Sequence, residues 1–199
     1  MGSMNKLCAA AAVAIAAAAT GAAAAGTPDG RFAVTEPGRA SCEAYLKART
    51  DRSPAFGLYL GFIQGYVTAA NRYEPDTFDL APWQTPQAFA LILANHCQSA
   101  PKERLAAVAQ KLVVTMRPTR LAEFSDLVLV GEGKSRRPVY KAVLSQTQNA
   151  LLKKGLYQGP VDGRYSPPLK VALQEFQRSA KLQPTGLPDT ATLWLLLRP

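Results

Sequence analysis

The sequence predicts an all-α protein, in which a small disulfide-closed helical domain is followed by a three-helix module. Three observations carry this. Residues 139–199 hold three amphipathic segments joined by two turns rich in Gly, Pro and Asp. Residues 41–116 hold further apolar stripes at helical spacing. Two cysteines, Cys42 and Cys97, remain once an apolar N-terminal stretch is set aside.

That stretch, residues 1–25, reads as a Sec-type signal peptide rather than as part of a fold. Lys6 gives a positive start, an Ala-rich apolar run follows, and Ala23, Ala24 and Ala25 offer small residues for cleavage before Gly26. The run is too short to span a bilayer comfortably, so no stable membrane span is expected after cleavage. Cys8 lies inside the apolar run, too early for a lipid-bearing cleavage site, and Met4 reads as the natural start after a Met1-Gly2-Ser3 scar. Export implies an oxidising compartment, periplasmic or secreted. There two cysteines most simply form one disulfide, closing a loop of about 55 residues; the alternative is two buried free thiols.

Residues 26–40 read as a flexible lead-in. In the helical domain, 41–116, Cys42, Tyr45 and Leu46 start a short helix that Arg49 ends. Phe56, Tyr59, Ile63, Val67 and Ala70 form the next stripe, and the same helix carries Gly57, Gly61 and Gly65, a smooth face for close approach of a helix or partner. A polar loop over 71–84 follows. Thr85-Pro86 restarts a helix through Cys97, and Pro101 opens another with Leu105, Val108, Leu112 and Met116 on its face. Residues 117–138 connect. Within them Leu127–Val130 is an apolar run that suits either a strand or helix packing, and 131–138 is the expected linker.

In the C-terminal module, Val143, Leu144, Thr147 and Leu151 share one helical face, with Gly155 as the stop. Ser166 and Pro167 start a second helix bearing Leu169, Ala172, Leu173, Phe176 and Ala180, and Asp189 caps a third that buries Leu193 and Leu196. The ungapped run of Gln148, Leu151, Gly155, Tyr157, Gly159, Val161-Asp162-Gly163, Tyr165, Ala172, Phe176-Gln177, Leu182, Thr185-Gly186, Asp189, Thr192-Leu193 and Leu196 resembles the type 1 peptidoglycan-binding domain of many cell-wall hydrolases. Departures are Ser166 for the family's Gly, Leu169 for Thr and Thr147 for Leu. The pattern of Cys42, residues 61–66 (GFIQGY), Asn71, Trp83 and Asn95-His96-Cys97 is similar to HdeA-like and Tai-type immunity domains, which are small disulfide-closed periplasmic helical proteins. That resemblance implies a binding or chaperone-like role and carries over no catalytic residue.

Little in the sequence points to an enzyme. His96 is the only histidine, and neither a metal-ligand spacing, a nucleophile turn nor a Gly-rich phosphate loop accompanies it. Carboxylate pairs for glycan hydrolysis stay open, although Glu132, Glu175, Asp162 and Asp189 all have turn, cap or solvent roles. No cofactor or metal is expected. The net charge is +9, falling by one when Lys6 is removed. In an exported chain this suits anionic wall polymers or acidic partners rather than nucleic acid, with the basic residues from Lys134 to Lys141 the cluster to watch.

The resemblance implies a non-catalytic protein bound to peptidoglycan. Its ligand contacts are expected at Tyr157, Asp162, Gly163, Arg164 and Tyr165, around the Asp-Gly turn, where aromatic surface meets fixed polar groups. The competing reading gives Tyr165 a core role and Asp162-Gly163 a loop-shaping one. The alternatives are a chaperone-like, adaptor or immunity-type factor with a periplasmic partner such as a wall hydrolase, and a cryptic wall hydrolase.

Overall fold

The computed structural model describes Thr27, Asp29 and residues 31–197, the Lys134 side chain excepted. The expected signal peptide, with Lys6 and Cys8, lies outside the described residues. The chain divides between Ala33 and Val34. Before the division, Asp29 pairs with Arg31 and accepts the Thr27 hydroxyl. The described residues from Val34 onward belong to one compact unit.

Four helices make the first half of that unit: α1 (Cys42–Thr50), α2 (Pro54–Tyr73), α3 (Pro86–Ser99) and α4 (Leu105–Met116). Ser41 Oγ accepts the Ala44 N–H and Thr85 Oγ1 the Ala88 N–H, satisfying donors that the first helical turn leaves open. The Cys42–Cys97 disulfide joins the start of α1 to the end of α3, with both cysteines fully buried. Around it pack Tyr45, Ile63, Leu93, Leu105 and Ala109. Tyr45 is fully buried and donates its hydroxyl to the Ala90 carbonyl at 2.8 Å.

Pro101 does not open α4, which begins at Leu105. The carbonyls of Pro101 and Glu103 instead accept the N–H groups of Glu43 and Cys42, at 2.8 Å each. Residues 101–104 therefore serve the open end of α1 and cannot themselves be helical. α2 also outlasts its predicted end, reaching Tyr73. Asn71 holds the following loop from within the helix, accepting the Leu80 N–H at 2.9 Å.

Residues 131–138 are not a free linker. They form the turn and part of the second strand of an antiparallel hairpin, β1 (Leu127–Val130) with β2 (Arg137–Tyr140), in register Leu127 with Tyr140 and Val130 with Arg137. Alternation decides its faces: Val130 and Val139 are buried, whereas Leu127 and Leu129 are exposed. This small sheet is the one addition to an otherwise helical fold among the described residues. Lys141, at the hairpin's end, starts α5 (Lys141–Lys153), followed by α6 (Pro167–Ser179) and α7 (Thr190–Leu197). Ser166 caps α6, and Asp189 Oδ1 accepts the Thr192 N–H at the start of α7.

The second core, under Val143, Leu144, Leu151, Leu169, Leu173 and Leu193, reaches back into the first half. Leu121 is buried in it, and Phe78 and Trp83 pack against it. Phe78 meets Phe124 and Tyr140 edge-on, at centroid distances of 5.3 and 5.7 Å. Trp83 meets Trp194 of α7 at 6.1 Å, and the Thr190 hydroxyl donates to the Trp83 carbonyl at 3.0 Å.

Candidate functional site

The Asp-Gly turn is built by one buried amide. Gln148, fully buried on α5, accepts the Gly163 N–H on its Oε1 at 2.8 Å. Its Nε2 donates to Asp162 Oδ1 at 2.9 Å and to the Arg164 carbonyl at 3.1 Å. Gly163 sits at φ +69°, and a Cβ there would lie 2.7 Å from the Lys141 carbonyl oxygen. Only glycine satisfies both conditions.

The same device occurs a second time. Gln177, fully buried on α6, accepts the Gly186 N–H at 2.7 Å and donates to Thr185 Oγ1, the Leu187 carbonyl and Thr192 Oγ1. Gly186 stands at φ +72°, and its Cβ would press on Lys170 and Gln174, just as that of Gly163 presses on Lys141 and Ser145. In both helices these two neighbours lie seven and three residues before the glutamine. The helix ends match as well: Leu156 N–H bonds to the Leu151 carbonyl, and Leu182 N–H to the Gln177 carbonyl. Sequence reading placed both glutamines in the motif without seeing their function. The signal was there: a polar residue on an apolar stripe, followed by a loop glycine.

The five residues expected to contact a ligand gather at this turn but face different ways. Tyr157 is buried, and its hydroxyl donates to the Pro160 carbonyl at 3.0 Å. Gly159 is pressed against the Tyr157 ring. Asp162 Oδ1 also accepts the Arg164 N–H at 3.0 Å. The Gln148 amide and then that N–H hold its carboxyl below the usual carboxylate range. Gly163 is backbone at the centre of the turn. Tyr165 donates its hydroxyl to the Gly186 carbonyl at 2.9 Å, tying the first turn to the second, and burial pushes its phenol up. Arg164 alone projects, with 82% of its side chain exposed and only a loose 4.0 Å approach to Asp162. Val161 beside it is an exposed apolar side chain. The departures from the family pattern are accommodated: Leu169 and Thr147 are fully buried, and the Thr147 hydroxyl donates to the Val143 carbonyl.

Elsewhere the chemistry is quiet. His96 Nε2 meets Glu103 Oε2 at 2.7 Å, and Lys111 reaches the other oxygen at 2.6 Å. These partners, Lys111 first, hold the Glu103 carboxyl below its ordinary range. Among the described residues no cluster of three or more His, Cys, Asp or Glu is placed to hold a metal, and no helix is long and apolar enough to cross a membrane. Gly57, Gly61 and Gly65 face outward, and a Cβ at any of them would meet nothing within 4 Å.

Residues 142–196 match the family described as "Putative peptidoglycan binding domain". The C-terminal segment is thus a helical peptidoglycan-binding module of this type. Over the same region the chain is 46% identical across 52 residues to "Localization factor PodJL" of Caulobacter vibrioides, in strains NA1000 / CB15N and ATCC 19089 / CIP 103742 / CB 15. That alignment covers 26% of this chain and 5% of the relative. No solved structure matches the chain significantly.

Proposed function

We propose that this is an exported, non-catalytic peptidoglycan-binding protein that presents its first four helices at the wall. The match of residues 142–196 to a peptidoglycan-binding family carries this reading. The geometry supports it: two glutamine clamps fix the turns, so that the exposed Arg164 and Val161 sit on a rigid base. A guanidinium there suits the carboxylates of wall peptides, and a rigid turn lowers the ordering cost of binding. Tyr157, Asp162, Gly163 and Tyr165 support Arg164 and are proposed to shape the site. The buried disulfide fits a periplasmic or secreted location. The relative's printed description as a localization factor agrees with a module used for placement rather than chemistry.

The test is co-sedimentation of the purified chain with insoluble sacculi. Retention at moderate salt, weakened by Arg164→Ala, supports the reading; a chain left in the supernatant while a known wall binder pellets refutes it. Release of soluble muropeptides would instead identify a hydrolase.

A second reading, an adaptor or chaperone-like factor of the HdeA or Tai type, is favoured by the open glycine face of α2. A wall hydrolase is one candidate partner. Because a side chain at Gly61 meets nothing in this chain, Gly61→Arg should fold normally and abolish co-purification of such a partner. An unchanged partner profile counts against it.

A further inference from the structure

We propose that the chain carries a second, separate site: a pocket for a single acyl chain ending in a carboxylate, formed where α3 and α4 meet Trp83 and Trp194. A cavity of about 400 Å³ lies there, within the roughly 300–1,000 Å³ typical of small-molecule sites. Its walls are aliphatic: Ile92, Val108, Leu112 and Met116 line it, and the edge-to-face indoles of Trp83 and Trp194 line it as well. Such walls reward apolar surface without regard to direction. A sugar ring, which needs polar partners around its whole edge, is poorly matched to them.

The polar groups lining this cavity point to the head. Gln84 and His96 line it, but Gln84 Oε1 already accepts the Trp83 backbone N–H and His96 Nε2 already meets Glu103. Lys111 also lines the cavity; its ammonium gives one contact to Glu103, and an ammonium has three donors. The hydroxyls of Thr115 and Thr119, also lining, already donate to the Lys111 and Met116 carbonyls. Glu103, the carboxylate nearest this cation, is shared between Lys111 and His96. Lys111 is thus the charged group on the lining with donors to spare, and a carboxylate, which accepts them, is the complementary head. This site does not depend on the wall-binding reading, because Arg164 and the two turns take no part in it.

The chain has two tryptophans, and both line the cavity, so intrinsic fluorescence reports on it directly. The full chain is titrated with sodium dodecanoate below its micelle concentration, with the C6 to C12 carboxylates, and with dodecyltrimethylammonium. The expected result is saturable one-to-one binding that strengthens about fourfold per added methylene, with the cationic head at least tenfold weaker. Val108→Phe should fill the cavity and abolish binding. Thr115→Phe, at an exposed position on α4, should block it without disturbing the core. Fluorescence that does not saturate, affinity independent of chain length, equal binding of both heads, or no effect of Thr115→Phe would each overturn the proposal. So would a response to a soluble disaccharide-peptide with none to dodecanoate, which would reassign the pocket to the wall polymer.

Discussion

Gln148 and Arg164 stand sixteen residues apart in sequence and within one hydrogen bond of each other, yet mutation should separate them cleanly. Gln148→Leu strands the Gly163 N–H inside the protein and leaves Asp162 Oδ1 with the Arg164 N–H alone. A loss of roughly 2–4 kcal/mol is expected, read from the urea midpoint. Arg164→Ala should change stability by no more than about 0.5 kcal/mol and act on sacculi retention alone. If both substitutions shift the midpoint equally, the support-and-contact division is wrong. Two titrations belong to this scale. Asp162 and Glu103 have lowered pKa values in the folded chain, so the stability they lend is complete above about pH 5 and fades as pH falls below 4. Tyr45 runs the other way: burial raises its phenol to about 12 from 10.0, so the folded state holds that proton longer than the unfolded one. Its contribution is intact below pH 10 and is lost between 10 and 12, and Tyr45→Phe should remove that alkaline step from the midpoint-versus-pH curve.

At the scale of the element, helix ends decide most of what happens. α5 stops with Gly155 at φ +73°, while α6 stops with Lys181 at φ +57°, where a side chain is strained. Lys181→Gly should therefore stabilise the chain by about 0.5–1 kcal/mol, visible as a higher melting temperature. Helices were the most legible part of the sequence, because the 3.6-residue stripe and the Ser, Thr and Asp caps are local signals. Cys42, Thr85, Ser166 and Asp189 mark true starts. Pro101 misled because proline suits a helix start and a turn equally, and a contact to α1, some sixty residues away, chose the turn. The hairpin was ambiguous for a similar reason. Leu-Val-Leu-Val carries no period of its own, and its pairing partner, Arg-Pro-Val-Tyr, reads as linker until the strand beside it is known. The candidate site was legible in place and not in role: the Asp-Gly turn was visible, whereas the amide that holds it lies inside the helix before it.

For the whole molecule, the disulfide and the aromatic contacts act on a common unit. The loop closed by Cys42 and Cys97 has a sequence separation of 55, worth about 4 kcal/mol in the chain-entropy account. Leu121, Phe78 and Trp83 carry that constraint toward the second core. Reduction, or Cys97→Ser, should lower a single cooperative melting transition; two transitions of which only one moves would show that the two cores melt independently. Trp83→Ala should have the complementary effect, loosening the coupling so that one endotherm broadens or splits.

The two glutamine clamps close loops of unequal length, 15 residues from Gln148 to Gly163 and 9 from Gln177 to Gly186. The shorter loop shows how much chain this architecture needs to turn from one helix into the next. The longer one exceeds it by six residues, three of them the further length of α5 beyond Gln148 and three in the connection that carries Val161 and Asp162. Transplanting the short connection into the first position would give a module with its scaffold intact and its protrusion pared away. Such a chimaera would divide the architectural minimum from the ornament built on it, and so identify which part of the module is free to diversify.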